Sequence, residues 1–198
     1  QCSEIACFSW SVNVSCTSQA GTTIHYTTDW SDPSCNSTTW TDQSFTDNTT
    51  LKVIACNAAN THSNTVTYEY TQDIIWPSTP TLNTPASWAT VPTTPELKWN
   101  SSSATWCSSM SGYEIRVCSD ASCSSPIRSQ STNLLKWTVS PTLTDGTYYW
   151  KVRAIDNLWN RSSRSLVRSF TIDSSTPDAP QCSEIACFSW SVNVSCTS

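Results

Sequence analysis

The chain contains an exact internal duplication, in which residues 181–198 repeat residues 1–18 without a mismatch. The chain therefore has a period of 180 residues. Such identity indicates a recently duplicated array, an overlap added on purpose, or a strand duplicated so that one copy serves a neighbouring subunit. Units that repeat at a fixed period pack against copies of themselves. We therefore expect a unit of a fibre, a stalk or a cell-surface array.

The cysteine count becomes even once the duplication is taken into account. The chain contains eleven cysteines, but Cys182, Cys187 and Cys196 are copies of three near its start, which leaves eight in one unit. Two histidines and the absence of CxxC spacing favour disulfides over a zinc site. Disulfides predict an oxidising environment, extracellular or at the cell surface. Eight cysteines allow 105 pairings, so their number leaves the connectivity open.

Composition argues against two classes of partner. Charged residues make up 13% of the chain, which has ten Lys and Arg and a net charge of −5, so no footprint for nucleic acid is expected. No segment approaches the roughly 18 consecutive apolar residues of a membrane span.

The chain starts at Gln1 without a basic or apolar leader, so we expect an export signal to have been removed or to lie upstream.

Two similar joints divide the chain. Residues 70–73, Tyr-Thr-Gln-Asp, lead into the Pro-rich segment 76–80, and residues 170–173, Phe-Thr-Ile-Asp, lead into Ser-Thr-Pro at 175–177. Proline stiffens such linkers by fixing φ. We therefore predict one domain at 1–75, a second at 76–180, and the first strands of the next copy at 181–198.

Within both domains the apolar side chains alternate with polar ones, which predicts short, half-buried antiparallel strands and no helix longer than a turn. The alternating pattern predicts an all-β fold of two tandem sandwiches, with these residues facing inward: Trp10, Val12, Val14, Cys16, Ile24, Tyr26, Leu51, Val53, Ala55, Leu97, Trp99, Tyr113, Ile115, Val117, Tyr148, Trp150, Val152, Ala154, Leu166, Arg168 and Phe170.

Two families resemble these segments. TTIHYTTDWSDP at 22–33, followed by LKVIACNAANTHS at 51–63, is similar to the immunoglobulin-like domain at the C-terminus of chitobiases and hexosaminidases and in many bacterial surface proteins. PELKW, YEIRVCSD, LTDGTYYWKVRAIDN and SFTID, between residues 95 and 173, resemble bacterial fibronectin type III-like domains. The resemblance implies tandem immunoglobulin-like and fibronectin III-like sandwiches. It gives little information about function, because such folds have many different functions.

The sequence departs from both patterns at Trp30, Ala59 and Trp159, where these families usually have glycine. Glycine at such positions supports a positive φ, which tryptophan adopts with difficulty. We therefore expect these turns to be rebuilt.

No catalytic, metal or cofactor site is predicted. The carboxylates Asp29, Asp32, Asp42 and Asp47 lack the spacing of a calcium loop, and Asx-type hydrogen bonds are a sufficient reason for those in the TTDWSDP turn. His25 and His62 are solitary in the sequence and are expected on the solvated surface, without partners for a triad or a metal site.

Two disulfides follow from local geometry and strand phase. Cys118 ends one strand and Cys123 starts the return, so a local bridge is easily formed. Cys56 falls in phase with Lys52 on the outer face, which favours a bridge to Cys35 over one to the inward-facing Cys16.

Two further cysteines share the spacing of the local bridge, because Cys2 and Cys7 repeat the C-S-x-x-x-C form of Cys118 and Cys123. Cys2 and Cys7 are therefore candidates for a disulfide. Cys16 and Cys107 remain, and one of them is a candidate for a bridge between domains or subunits.

Two sets of surface residues are candidates for modification or contact. Five Asn-x-Ser/Thr sequons predict glycosylation candidates, although their number is only slightly above chance: Asn13, Asn36, Asn48, Asn100 and Asn160.

Trp99 and Trp150 lie in phase with core strands, whereas Trp40 and four candidate interface aromatics lie in turns or loops: Trp30, Trp88, Trp106 and Trp159. Such rings stack on sugars or pack against a neighbour, and packing is favoured in a repeating unit.

These observations together predict a secreted, non-enzymatic structural protein whose partner is another copy of itself. The apolar positions Trp190, Val192 and Val194 in the second copy must be covered by a covalent continuation or by strand addition between subunits, and we favour the continuation. The alternative is a carbohydrate-binding or adhesive accessory module of a secreted glycosidase or adhesin, with surface glycans as partners.

Overall fold

The structure, a computed structural model, describes residues 1–4, 7–104 and 107–176, and the backbone of 181–182 and 196–197. All regular elements in these residues are strands. Among the described residues, no helix has the length and hydropathy of a transmembrane segment. The first sandwich contains β1 (Cys7–Phe8), β2 (Val12–Val14), β3 (Thr23–Thr27), β4 (Thr38–Thr39), β5 (Gln43–Phe45), β6 (Thr49–Cys56) and β7 (Val66–Gln72).

The second sandwich contains eight strands, and two short ones follow it. The eight are β8 (Leu82–Thr84), β9 (Ala89–Val91), β10 (Glu96–Trp99), β11 (Met110–Cys118), β12 (Pro126–Thr132), β13 (Lys136–Thr138), β14 (Gly146–Asp156) and β15 (Arg168–Ile172). The two short strands are β16 (Gln181–Cys182) and β17 (Cys196–Thr197).

The first sandwich packs the sheet β1-β7-β6-β3-β4 against the strand pair β2-β5. Leu51 and Val53 of β6 point inward and meet Val12 and Val14 of β2 and Tyr70 of β7, so the alternation in the sequence becomes a buried core. All described pairings in this sandwich are antiparallel except that of β1 with β7, in which Cys7 lies beside Thr71.

The second sandwich packs the sheet β12-β11-β14-β15-β9 against the sheet β13-β10-β8. Its core is larger: Trp150 is fully buried at the centre, with Ile115 and Val117 from β11, Leu97 from β10 and Phe170 from β15. One pair is again parallel, that of the edge strand β9 with β15. The predicted all-β fold of two tandem sandwiches is confirmed.

Two predicted inward residues are instead exposed. Trp10 is 82% exposed, because residues 9 and 10 form a bend and strand β2 begins only at Val12. Leu166 is 91% exposed, because β15 begins only at Arg168. In both cases the apolar alternation continues in the sequence beyond the end of the strand.

Both sandwiches form the same corner after their longest inner strand. In the first, the Oδ1 atom of Asn57 accepts hydrogen bonds from the N–H groups of Ala59 and Thr61 at 3.0 Å each. In the second, the Oδ1 atom of Asp156 accepts them from Leu158 and Asn160 at 2.9 and 2.8 Å. A serine then closes each corner, as described below for β14.

The turns with tryptophan in place of glycine are not rebuilt, contrary to the expectation. Trp30 and Trp159 adopt the left-handed conformation themselves, with φ of 69° and 67°. In the first corner the positive φ of 57° falls on Asn60 rather than Ala59. Asparagine adopts this conformation more readily than most residues, which accounts for the shift by one position.

Candidate functional site

The structure contains four disulfides among the described residues, at Cys2–Cys16, Cys7–Cys107, Cys35–Cys56 and Cys118–Cys123. The last two are the pairs favoured from strand phase and local spacing. Cys56 is buried but lies outside the main core cluster, in alternation with Leu51 and Val53, which is the geometry that excludes a bridge to Cys16.

The suggested bridge between Cys2 and Cys7 is wrong. Cys2 lies directly opposite Cys16 in an antiparallel bridge, and their Cα atoms are 3.9 Å apart. Backbone hydrogen bonds on either side, from Ser3 to Ser15 and from Thr17 to Gln1, hold the two segments together. The shared spacing was misleading because residues 1–4 run alongside residues 15–17 instead of turning back at Cys7.

Cys7 is used to join the two sandwiches. Its disulfide to Cys107 spans 100 residues of sequence and connects strand β1 with the segment before β11. The chain itself passes nearby, because the N–H of Asp73 donates to the carbonyl oxygen of Phe8 at 2.8 Å. The joint between the sandwiches is thus crossed by a covalent bond in addition to the linker.

The linker side of the joint is held by polar contacts. The buried Asp73 accepts a hydrogen bond from the N–H of Ile75 at 2.9 Å, and its carbonyl oxygen accepts one from Asn160 Nδ2 at 3.4 Å. The Asp73 carboxylate lies within 4.8 Å of the Cys7 and Cys107 sulfur atoms. Both sulfurs are consumed by the disulfide, so they are not available as thiolate ligands for a metal.

An open cleft of about 480 Å³ lies at this joint. It is lined by Asn48, Gln72, Asp73, Ile74, Ile75 and Cys107 among others. The following residue, Trp76, is also exposed, so the linker presents three apolar side chains in succession.

The second copy repeats the backbone pairing of the first. In the first copy Gln1 lies opposite Thr17 and Cys2 opposite Cys16. Strands β16 and β17 pair Gln181 with Thr197 and Cys182 with Cys196. The candidate junction residues Trp190, Val192 and Val194 lie outside the described residues.

The predicted interface tryptophans form a distinct exposed class. Trp30, Trp88 and Trp159 are 72%, 68% and 71% exposed, and all three have a positive φ. Trp30 is held by Lys52, whose Nζ donates to its carbonyl oxygen at 2.9 Å and forms an ion pair with Asp32 at 2.8 Å.

The remaining tryptophans divide between core and unassigned positions. Trp99 and Trp150 are buried, as packing residues should be. Trp40, though it follows a turn, packs its ring edge-on against Tyr26 at 5.1 Å between centroids. Trp106 lies outside the described residues.

The sequons differ in how their asparagines are used. Asn13 and Asn36 are exposed, and their side-chain amides have no hydrogen-bond partner within the described part of the chain. Asn48 accepts a hydrogen bond from the Gln72 N–H at 2.7 Å, and Asn100 donates to Thr81 at 2.9 Å. Asn160 is bound to both Asp156 and Asp73. The geometry therefore favours Asn13 and Asn36 among the five.

The other polar candidates have structural partners. Asp29 accepts hydrogen bonds from the hydroxyl and the N–H of Ser31, which lower the pKa of its carboxyl group, in the Asx-type arrangement expected for this turn. His25 is half-buried rather than solvated, with its Nδ1 atom 2.7 Å from the carbonyl oxygen of Ser37. The exposed His62 contacts the carbonyl oxygen of Ser63.

The sequence reasoning missed an ionic cluster on the outer face of the second sandwich. Glu114 of β11 pairs with Arg153 of β14 at 2.5 Å, and with Arg161 and Arg164 at 3.3 and 3.2 Å. Burial raises the pKa of Glu114, but the hydrogen bond from Arg153 and the three positive charges outweigh it and hold the pKa below its usual range. The signal was present in the sequence, because Glu114 and Arg153 occupy the polar phase of two strongly alternating strands.

The pKa of Arg164 is lowered mainly because its guanidinium group is partly buried. Burial lowers its pKa to about 10, and the neighbouring charges of Arg116 and Arg153 act in the same direction against the opposing effect of Glu114. A shallow cleft of about 180 Å³ lies beside it, lined by Glu114, Arg116, Arg164, Ser129, Gln130 and Ser131.

Comparisons with known proteins agree with this architecture. Residues 12–70 match a family model described as Fn3 associated, and residues 79–173 match one described as a Rha78A-like, N-terminal immunoglobulin domain. A search of curated proteins finds no significant match.

Several solved structures are similar at low sequence identity. The fibronectin(III)-like modules of CbhA from Clostridium thermocellum are 16% identical with a TM-score of 0.41, covering 85% of this chain and 87% of that chain. Titin domains A168-A170 are 16% identical with a TM-score of 0.50, covering 85% of this chain and 61% of the titin segment. Identities this low support the fold alone.

Proposed function

Because the chain is a tandem of immunoglobulin-like and fibronectin III-like sandwiches, we propose that it is the repeating unit of an extracellular structural array. Such sandwiches are commonly structural or accessory modules. The observation that carries the proposal is the second copy of residues 1–18, whose described backbone has the same pairing register as the first. One unit is thus followed by the start of another in the same strand arrangement.

The joint inside a unit supports an extended array. The Cys7–Cys107 disulfide and the Asn160–Asp73 hydrogen bond both cross from one sandwich to the other. Each restricts the relative motion of the two sandwiches further than the stiff, proline-containing linker does alone. A unit with a fixed internal joint transmits tension and maintains spacing, as a fibre or stalk requires.

Disulfides also support the extracellular assignment. Four bridges in the described part of a chain with this little charge are typical of a protein that folds in an oxidising environment.

If the array proposal is correct, Cys187, the copy of Cys7, has no disulfide partner within these 198 residues. If 181–198 begin a new unit, Cys182 pairs with Cys196, while the partner of Cys187 belongs to the second sandwich of the next unit. The 198-residue polypeptide should therefore contain five disulfides and one reactive thiol, at Cys187. Alkylation followed by peptide mapping of unreduced protein distinguishes the copies, because trypsin leaves residues 1–52 and 169–198 in different peptides.

Cys7 provides the internal control, since it has the same flanking sequence and should resist alkylation. A Cys182–Cys187 bridge, or a Cys187 as protected as Cys7 in monomeric protein, would contradict the array proposal.

A second candidate is a glycan-binding or adhesive accessory module, favoured by the exposed tryptophans. Trp30, Trp88 and Trp159 project from turns, where flat rings can stack on sugars. Under this alternative, replacing each by alanine would weaken binding to a glycan array. If the exposed rings instead contact neighbouring units, the same variants should change assembly and leave glycan binding absent.

A further inference from the structure

The two sandwiches carry opposite net charge. Residues 1–75 contain seven acidic side chains and one lysine, a net charge of −6, whereas residues 76–180 contain seven acidic and nine basic side chains, a net charge of +2. All six arginines lie in the second sandwich. Because the period contains both sandwiches, this charge alternation repeats with every unit.

The positive charge is concentrated on one sheet face. Glu114, Arg116, Lys151 and Arg153 share the outer face of β11 and β14, where Glu114 lies opposite Arg153 and Arg116 opposite Lys151. Arg161 and Arg164 reach the same carboxylate of Glu114. This side of the sandwich thus has five cationic side chains and one carboxylate, which three of the five already contact.

The opposite sheet of this sandwich has a carboxylate between its paired cations, which the Arg116–Lys151 pair does not have. Lys98 and Lys136 also face each other across strands, but Glu96 lies between them, with ion pairs of 2.6 and 2.9 Å. The Arg116–Lys151 pair has no such partner: within the described part of the chain, no carboxylate lies at ion-pair distance from either side chain. Like charges directly opposite each other in a sheet are destabilising.

We propose that this cationic face, defined by Arg116, Lys151, Arg153, Arg161 and Arg164, binds the acidic first sandwich of a second copy of this chain. A carboxylate from the second copy would form ion pairs with both Arg116 and Lys151. Glu96 already does this for Lys98 and Lys136. The cleft beside Arg116 adds hydroxyl groups of Ser129 and Ser131 as further hydrogen-bond donors.

The occupant is argued from charge complementarity. The first sandwich has one lysine, which is paired with Asp32, and within the described residues no cation lies at ion-pair distance from the exposed Asp42 and Asp47. Two parallel arrays shifted by one sandwich would place an acidic domain beside every cationic face. This deepens the proposed function, because it assigns the lateral contact between arrays and not their end-to-end continuity.

The test is sedimentation velocity on the 198-residue chain with free thiols alkylated. We expect self-association at low salt that is lost as salt rises, because the screening length falls from about 30 Å at 0.01 M to about 10 Å at 0.1 M. The double variant R116Q/K151Q should weaken association by about tenfold or more. The control K98Q/K136Q removes the same charge from the opposite sheet and should associate like the wild type.

Mixing experiments identify the partner surface. The variant D42N/D47N should also associate poorly, but its mixture with R116Q/K151Q should recover association, since each chain supplies the surface that the other lacks. No recovery in the mixture, equal weakening by K98Q/K136Q, or a wild-type chain that is monomeric at every salt concentration would overturn the proposal.

A second outcome is informative about the ligand class. Binding of the cationic face to an anionic polysaccharide such as polygalacturonate, without association between chains, would also overturn self-docking and assign the face to acidic glycans. Neither failure affects the array proposal, which depends on the Cys182–Cys196 bridge and the Cys187 thiol.

Discussion

At the scale of single residues, the unusual choice in this chain is tryptophan in turns that require a left-handed backbone. Trp30, Trp88 and Trp159 all have a positive φ and lie mostly in solvent. An L-residue in this conformation costs about 1–2 kcal/mol. Because these three rings are mostly exposed, their burial within the unit contributes little to offset this cost.

Replacing Trp159 by glycine should therefore raise the free energy of unfolding by about 0.5–1 kcal/mol. Relief of the left-handed strain exceeds the entropy that glycine adds to the unfolded chain, which is about 0.5–1 kcal/mol. Urea denaturation measures this difference. The control Trp10→Gly, at an exposed tryptophan without a positive φ, should be destabilising. Loss of stability in Trp159→Gly would show that the ring packs within the unit.

Glu114 is the residue on which the ionic cluster depends, so Glu114→Gln should lower the free energy of unfolding by about 1–3 kcal/mol at pH 7. The carboxylate has a lowered pKa when folded, so its contribution is present above the usual glutamate pKa and is lost as pH falls through the folded value. Denaturation curves of both proteins should converge in acid.

The same substitution at Glu96, whose side chain is more exposed than that of Glu114, should have a smaller effect, because ion pairs near the surface contribute little. A difference between wild type and Glu114→Gln that is independent of pH would show that the charge of Glu114 is not the source of its effect.

At the scale of elements, alternation predicted strands well where they are long and failed at their ends. Tyr113, Ile115 and Val117 on β11 are buried as predicted, because one face of that strand covers a core. Trp10 and Leu166 fit the same period but lie beyond the strand ends. Period alone contains no information on where pairing stops, because that depends on partners distant in sequence.

One device that the sequence did not reveal is how β14 continues past its partner. Strand β15 pairs only with residues 146–150, so the next backbone groups of β14 need other partners. The Oγ atoms of Ser165 and Ser162 accept hydrogen bonds from the N–H groups of Val152 and Ala154 at 3.1 and 2.9 Å. Ser63 does the same for Ala55 in the first sandwich.

Ser165→Ala should consequently destabilise the second sandwich by about 1–3 kcal/mol, because a buried N–H group loses its acceptor. Thermal and urea unfolding provide the measurement. The exposed Ser163 is the matched control, and Ser163→Ala should stay within about 0.5 kcal/mol of the wild type. Equal stability of all three proteins would mean that another group accepts the Val152 hydrogen bond.

At the scale of the whole molecule, the period of 180 residues and the even cysteine count predicted more than any single motif. They indicated a disulfide-rich repeat, and the strand phases indicated two of its bridges. The bridge across the joint was only one of several open pairings, because Cys7 and Cys107 are 100 residues apart and meet through tertiary structure. Likewise, six arginines scattered along the sequence become a patch only when β11 and β14 pair.

In the proposed array, units continue end to end. The most direct test is the maximum dimension, by small-angle X-ray scattering or electron microscopy, of polypeptides with one, two and four consecutive 180-residue units. With strands rising about 3.3 Å per residue and two sandwiches per unit, each added unit should lengthen the particle by roughly 70–90 Å. A much smaller increment, or compact particles whose length does not grow with the number of units, would contradict the proposed end-to-end array.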